Sequence, residues 1–446
     1  MTYPQALKYL NSLINYEKIP EYPYKESLKL ERIRDFLALL GNPQEALKSI
    51  HIAGTKGKGS TCAFIAYILK YAGYKVGLYT SPHLSDFRER IRILRGIRAI
   101  NNPHPEFEGM ISKNELACLV KKLQKTIESY NKRSPYGPLS FFEVYTALAF
   151  IYFKEKKVDF AVIETGLGGR LDATNTVDPL ICAITPISYE HTQKLGNTLK
   201  EIAGEKAGII KSSAINGRTS IVISAPQAKE ARDAIRKRCN EKKSRLYEVG
   251  KDIRCAKKNG RADIEGIFEK YKDLKISLTG RHQLVNAAVA AGAIETLNFY
   301  GINIKKAAIR KGLANTLWPG RCEVVSKHPL ILVDGAQNRA SAKTLKETLK
   351  ENFHYNRLIL VLGISKDKDI RGVCSELRPL ADKVILTCAD NPRAASPADL
   401  IPYFNGKEAY LTKNLKEAKK LSLSIASGKD LILVTGSLFI LGEFRK

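Results

Sequence analysis

The sequence predicts an α/β protein in two parts, a large domain on a mostly parallel sheet (residues 1–316) and a smaller α/β domain (317–446). Three observations carry this reading. Short apolar runs of strand length alternate with longer helical patterns through the first part. The first of those runs ends in a glycine-rich turn that opens a helix. After the turn Leu317-Trp-Pro-Gly320, four more strand-length runs alternate with helical patterns to the end.

The elements follow in order. Residues 5–18 and 26–40 read as helices; in the second, Leu28, Leu30, Ile33, Phe36, Leu37 and Leu40 recur at near-helical spacing, and Gly41-Asn42-Pro43 stops the pattern. Ile50–Ala53 is the first strand and Cys62–Leu69 the helix beyond the turn. Val76–Tyr79 is a strand opening into Thr80-Ser81-Pro82-His83. Glu115–Tyr130 and Phe142–Phe153 are helices around a loop at Ser134–Pro138. Val158–Ile163 and Leu180–Thr185 are buried strands. Residues 250–278 are poorly patterned and read as β-hairpins on the large domain. In the second part the strands are Leu330–Val333, Leu358–Leu362, Lys383–Thr387 and Leu431–Thr435.

With 446 residues, 44% hydrophobic and 26% charged, the chain has the balance of a globular protein. No run of about 18 apolar residues occurs, so no membrane helix is expected. The first residues lack a basic region followed by an apolar core, so no secretory signal is read. Eight cysteines are scattered without a C-x-x-C pair or zinc spacing, which suits reduced thiols in a cytoplasm. The formal charge of +28 is spread along the chain. No aromatic-interleaved basic motif accompanies it, so anionic small molecules rather than nucleic acid are the expected partners.

His51-Ile-Ala-Gly-Thr-Lys-Gly-Lys-Gly-Ser-Thr61 carries the most chemistry. Glycines let backbone N–H groups approach phosphate oxygens, and a helix N-terminus adds positive potential. Gly54, Thr55, Gly57 and Gly59 would shape the cradle. Lys58 would reach the terminal phosphates, and Ser60 or Thr61 would face Mg²⁺. The run departs from G-x-x-x-x-G-K-[ST]: Ile52 replaces the first glycine, and Gly59 separates Lys58 from Ser60. Metal donors are sought where ligands bind in open α/β sheets, beyond the carboxyl ends of strands. Ser81, Glu164, Glu190 and His191 lie there, and Glu143 is a lone carboxylate in an apolar helix. Lys206, beside Ala-Gly-Ile-Ile, is a candidate buried lysine. Asp334 follows a strand where a carboxylate can grip a ribose or base, and Arg321 could reach a phosphate across the cleft.

Eight motifs occur in order: Gly54–Ser60, Ser81–His83, Glu164–Asn175, Glu205–Lys211, Gly280–Asn286, Trp318–Arg321, Asp334–Ala336 and Val434–Leu438. Together they resemble the folylpolyglutamate synthase and dihydrofolate synthase family of the Mur ligase superfamily, over nearly the whole chain. The resemblance implies a P-loop-type ATPase domain with a smaller Rossmann-like C-terminal domain. It implies an ATP-dependent acid–amino-acid ligase that joins L-glutamate to dihydropteroate or tetrahydrofolate through an acyl phosphate. Lys58 and Ser60 would hold the phosphates, and Ser81, Glu143 and His191 would bind Mg²⁺. Lys206 would be carbamylated by CO₂, and Lys58, Lys206 and His191 form the expected catalytic set. Asn286, Arg321 and Asp334 would bind ATP. The segment Ser81–Arg92, with Pro82, His83, Arg88 and Arg90, would shape part of the pteridine pocket. A monomer is implied.

Three positions depart from the family pattern: Glu190 where Asp usually precedes the metal histidine, Gln337 with Arg339 in place of His and Pro, and Lys56 for the commoner Asn. Activity is expected to survive all three. The other readings are a different Mur-type amide ligase, which would need a larger domain before the loop, and an inactive nucleotide-dependent binding protein.

Overall fold

The computed structural model describes residues 1–19, 21–96, 107–212, 219–258 and 260–445. The chain packs as two compact units. One is Met1–Pro82, Arg88–Ser277 and Gln283–Leu317, and the other is His83–Phe87, Leu278–His282 and Trp318–Lys446.

The first unit opens with α1 (Tyr3–Ser12), α2 (Tyr24–Ser27) and α3 (Leu30–Leu39). Both predicted N-terminal helices are shorter than their apolar patterns. Thr2 and Gln5 close a capping box on α1, but Leu13 is extended and Ile14 bridges Ser140 instead of continuing the helix. The second pattern is cut where Leu28 and Lys29 turn extended. Next come β1 (Ser49–Ala53), α4 (Lys58–Tyr71), β2 (Val76–Tyr79), β3 (Ile91–Leu94), α5 (Lys113–Arg133), α6 (Phe141–Glu155), β4 (Phe160–Glu164) and β5 (Ile181–Ile184). The unit continues with α7 (Thr192–Leu195), α8 (Leu199–Ala207), β6 (Ile221–Ser224), α9 (Lys229–Glu241) and β7 (Leu246–Glu248).

Seven strands form one sheet in the order β3-β2-β4-β1-β5-β6-β7, parallel except for β3, which runs against β2. Burial on both faces explains why β1, β4 and β5 read as unbroken apolar runs rather than alternating ones. The chain passes from β1 to one side of the sheet and returns to its other side at β5, so the carboxyl ends of β4, β1 and β5 flank the reversal point where α/β sheets bind ligands.

The segment read as hairpins holds β8 (Arg254–Lys258), β9 (Arg261–Glu265) and β10 (Lys270–Leu274), an antiparallel sheet. Two helices follow, α10 (Arg281–Thr296) and α11 (Lys306–Asn315). Gly312 lets α11 close on α4: a Cβ there would sit 2.5 Å from the Ile68 Cα.

The second unit carries β11 (Glu323–Lys327), β12 (Leu330–Asp334), α12 (Arg339–Asn352), β13 (Leu358–Leu362), α13 (Ile370–Leu377) and β14 (Lys383–Leu386). It ends with α14 (Pro397–Leu400), β15 (Glu408–Leu411), α15 (Leu415–Ile425), β16 (Leu431–Thr435) and α16 (Leu438–Arg445). Its sheet order is β11-β12-β16-β13-β14-β15, parallel except for β11. Strand alternation divides the core: Leu332, Leu360 and Leu433 face one layer, and Val333, Val361 and Val434 the other.

Candidate functional site

The turn after β1 is fixed by two close approaches. Gly54 has φ +148°, and a Cβ there would lie 1.9 Å from Thr185 Oγ1. Gly57 has φ +84°, and a Cβ there would lie 2.3 Å from Asn286 Oδ1. Helix α4 starts immediately afterwards with no side-chain cap, so the N–H groups of Lys58, Gly59 and Ser60 point out of its first turn. Asn286 Nδ2 donates to Gln283 Oε1 at 2.9 Å, and Gln283 Nε2 reaches Ser60 Oγ at 3.4 Å. Thr61 Oγ1 is buried without a hydrogen-bond partner. The structure therefore gathers Lys58, Ser60, Thr61 and Asn286 around an uncapped helix N-terminus, an arrangement that suits phosphate.

Two neighbouring loops border this turn. Ser81 follows β2 and its N–H donates to Glu164 Oε2 at 3.1 Å, at the end of β4. Beyond β5, the Thr55 hydroxyl donates to Ser188 O and accepts from Ser188 N, both at 3.2 Å. Lys56 pairs with Glu190 at 3.0 Å. Burial opposes the charge on Glu190, but Lys56, His191 and Lys58 outweigh it and hold the carboxyl at about 2. His191 follows in a left-handed conformation, φ 53°, and is exposed. Among the described residues no three His, Cys, Asp or Glu side chains cluster tightly enough to cage a metal by themselves. The Ser81 hydroxyl and the Glu164 carboxylate are oxygen donors of the kind Mg²⁺ takes, its shell completed by water and substrate phosphates, whereas the His191 imidazole is a softer donor.

Lys206, on α8, is 5% exposed and donates to Gly54 O at 2.8 Å. Among the described residues no carboxylate pairs with it. Burial, then the nearby Lys58 cation, pull its ammonium down to about 7, against the opposing pull of Glu190. Close packing seats α8: a Cβ at Gly169 would lie 2.8 Å from both the Glu205 and Lys206 carbonyls, and Arg170 pairs with Glu205 at 2.8 Å.

Two predicted site residues, Glu143 and Arg90, are placed elsewhere. Glu143 caps α6 through Ser140, and its carboxylate takes Arg32 Nε at 2.8 and 3.1 Å, with both partners buried. It is spent on this pair, and Glu164 is the carboxylate that Ser81 meets. Arg90 is 1% exposed, forks onto Glu17 at 2.7 and 2.6 Å and lies over the Phe141 ring, so it is not presented to a substrate. Arg88 lies over the Tyr3 ring, 5.7 Å from its centroid. Pro82 is exposed, and His83 packs on Phe87 at 4.5 Å in the second unit. An open cleft of about 450 Å³ occurs instead between Glu21, Tyr22, Pro23, Gln193 and Lys194, two residues beyond His191.

In the second unit, Asp334 ends β12 and accepts the N–H groups of Cys322 and Ala336, each at 2.9 Å. Arg321 hydrogen-bonds Gly320 O, and a Cβ on Gly335 would lie 2.5 Å from its Nη1. His282 shares this neighbourhood: burial lowers its pKa, with Asp334 opposing and Arg321 reinforcing.

Residues 115–294 match the Mur ligase middle domain, and residues 320–438 match the Mur ligase glutamate ligase domain. The dihydrofolate synthase/folylpolyglutamate synthase of Bacillus subtilis is 37% identical over 426 residues, which cover 94% of each chain. This chain belongs to that family. Mycobacterium tuberculosis folylpolyglutamate synthase complexed with ADP superposes with a TM-score of 0.87 at 29% identity, covering 99% of this chain and 97% of its own. An Escherichia coli relative in complex with DHPP and ADP gives 0.84 at 29% identity, covering 99% and 96%.

Beside Asn286, the motif Gly280–Asn286 also brings Gln283 to Ser60 and His282 to Asp334. Helical spacing was the available signal, because Gln283 lies one turn before Asn286. No helix among the described residues is long and apolar enough to cross a membrane.

Proposed function

We propose that this chain is an ATP-dependent ligase that joins L-glutamate to the carboxylate of a pterin acceptor, dihydropteroate or tetrahydrofolate, through an acyl phosphate. The observation that carries this is the pairing of an uncapped phosphate loop with Lys206, a buried lysine with no carboxylate partner among the described residues, hydrogen-bonded to the loop's own Gly54 carbonyl. An ordinary NTPase turn has no use for such a lysine.

A free carboxylate is a poor electrophile. Its oxygen attacks the γ-phosphorus of ATP, the bond to the β–γ bridging oxygen breaks, and ADP leaves. The glutamate amine then adds to the activated carbonyl, loses a proton and expels phosphate. The protein contributes positioning and charge. The N–H groups of residues 58–60 and the Lys58 ammonium hold the phosphates, with the Ser60 and Thr61 hydroxyls beside them. Asn286, beside the loop, contacts the nucleotide. Ser81, Glu164 and His191 would hold Mg²⁺, which would supply neutralisation of phosphate charge. The Lys206 amine adds to CO₂ and releases a proton, leaving a carbamate. That addition needs the neutral amine, which a pKa of about 7 provides near neutral pH. The pteridine pocket draws on the cleft at Tyr22 and Lys194. Eight free thiols support a cytoplasmic setting, and the enzyme acts as a monomer.

The test is ADP release measured with L-glutamate and each acceptor separately. Release should require both co-substrates and vanish in Lys58→Ala. Release without glutamate, or a Lys58→Ala variant with normal turnover, refutes the assignment.

A further inference from the structure

His51 has no part in the scheme above, yet it lies on β1 three residues before the loop and is fully buried. Its Nε2 is 2.8 Å from Thr174 Oγ1. The Thr174 hydroxyl has one proton, and that proton goes to Asp172 Oδ1. Burial raises the Asp172 pKa, while the N–H groups of Leu167 and Thr174 favour its carboxylate; with that carboxylate accepting, Thr174 accepts from His51, and the imidazole is the Nε2–H tautomer. Nδ1 is then an unprotonated nitrogen, and it is the ring atom buried without a partner. An orphan lone pair there costs less than an orphan N–H. Burial, reinforced by Lys211, pushes the ring down to about 3, so the donor is neutral imidazole.

The chain of donors ends at a staple. Asp172 is 3% exposed and takes Thr174 N at 3.0 Å on one oxygen and Leu167 N at 2.8 Å on the other. It thereby closes the segment between Leu167 and Thr174. That segment carries Gly169 and Arg170, the residues seated against the Glu205 and Lys206 carbonyls. Asn175 adds a second tie, donating to Arg170 O and Gly208 O at 3.0 and 3.2 Å. From β1 to α8 the path is continuous in hydrogen bonds and close packing.

We propose that His51 is a positioning residue: its Nε2–H orients the Thr174 hydroxyl onto Asp172, and the stapled loop in turn places the α8 carbonyl ridge and Lys206 against the phosphate loop. This rests on the ligase reading above. It concerns the chemical step and not ATP binding, because no member of the chain is a phosphate-loop group.

The experiment compares His51→Leu, which removes the donor at similar volume, with His51→Gln, whose amide N–H can reach the same hydroxyl. Turnover is counted per ATP-binding site so that misfolded protein does not enter the rate. His51→Leu should lose about 10–100-fold in kcat, the range for residues that orient a functional group, with KM for MgATP within about twofold of wild type. His51→Gln should recover most of that loss. Thr174→Val, close to isosteric, should match His51→Leu, and the double variant should be no worse than either single one. If His51→Leu is insoluble, Thr174→Val alone decides: unchanged kcat overturns the proposal. It also falls if Gln is as poor as Leu, or if the two losses multiply. Absent glutamate-dependent turnover in wild type refutes the ligase reading instead, whereas an active wild type with a normal His51→Leu refutes only this inference.

Discussion

Buried charge is handled in two opposite ways in the first unit. Away from the phosphate loop it is matched: Arg32 with Glu143, Arg90 with Glu17, Lys70 with Glu108. At the carboxyl edge of the large sheet it is left unbalanced. Lys206 has a carbonyl for a partner, Thr61 Oγ1 has none, and the first turn of α4 has no cap. The first arrangement is complete without a ligand. The second has polar groups whose desolvation the protein does not offset, and an anionic ligand would offset it. Whether a buried ion is matched therefore separates structural charge from functional charge better than burial alone.

The largest expected effect separates the two regions in activity. Lys206→Met should cost at least about 10²-fold in kcat, the scale of removing one preorganised charge-stabilising group. Its melting temperature should hold or rise, since an uncompensated buried cation disappears. Lys58→Ala should behave likewise. A parallel fall in stability and turnover would place Lys206 with the matched ions.

The reciprocal effect belongs to Glu143. Glu143→Gln leaves Arg32 buried without its counter-charge and should destabilise by about 3–5 kcal/mol, read by denaturant unfolding. Activity per folded molecule should stay within about threefold. Glu164→Gln should do the reverse, with little change in stability and a loss of about 10²-fold in metal-dependent turnover. If Glu143→Gln raised the Mg²⁺ requirement and Glu164→Gln did not, the metal assignment would return to Glu143.

That exchange shows what the sequence could convey. Val76–Tyr79, Leu358–Leu362 and Leu431–Thr435 were legible to the residue, because strands buried on both faces are continuous apolar words. The strand β3 was not, since Arg90 precedes it, Arg92 interrupts it, and only tertiary partners explain their burial. The same blindness produced Glu143. A carboxylate in an apolar helix announces a partner, but the partner, Arg32, lies 111 residues away and nothing local names it. Glycines were more readable. Gly54 and Gly57 stand where side-chain atoms of Thr185 and Asn286 come within 2.3 Å of a would-be Cβ, and the turn chemistry signalled both.

A smaller effect follows from pH at Lys206. Its folded pKa of about 7 lies below the ordinary 10.5, so the native state binds fewer protons than the unfolded chain between those values. Stability should rise with pH across that window and level off above it. Uptake of CO₂ by Lys206, the step proposed above, should climb between about pH 6 and 8 as the neutral amine accumulates. Lys206→Met should abolish that part of the pH slope. A slope unchanged in the variant would assign it to other groups.

The smallest effect tests Glu190, the matched pair nearest the unmatched site. Its carboxyl, at about 2, is below the usual carboxylate range, so its contribution is complete above the ordinary value of 4.5 and is lost as pH falls towards 2. Lys56 is about one-third exposed, which weakens the pair through solvent screening. Glu190→Gln should therefore cost only about 1 kcal/mol at neutral pH and nothing near pH 2. In activity it should be mild, because the Lys56 charge it leaves uncompensated is about one-third exposed and screened by solvent. Glu190→Asp, with a shorter reach to Lys56, should fall between wild type and Gln in stability. If Glu190→Gln instead cost as much turnover as Lys206→Met, the carboxylate would act on the ligand and not on Lys56, and the matched pair would belong to the site.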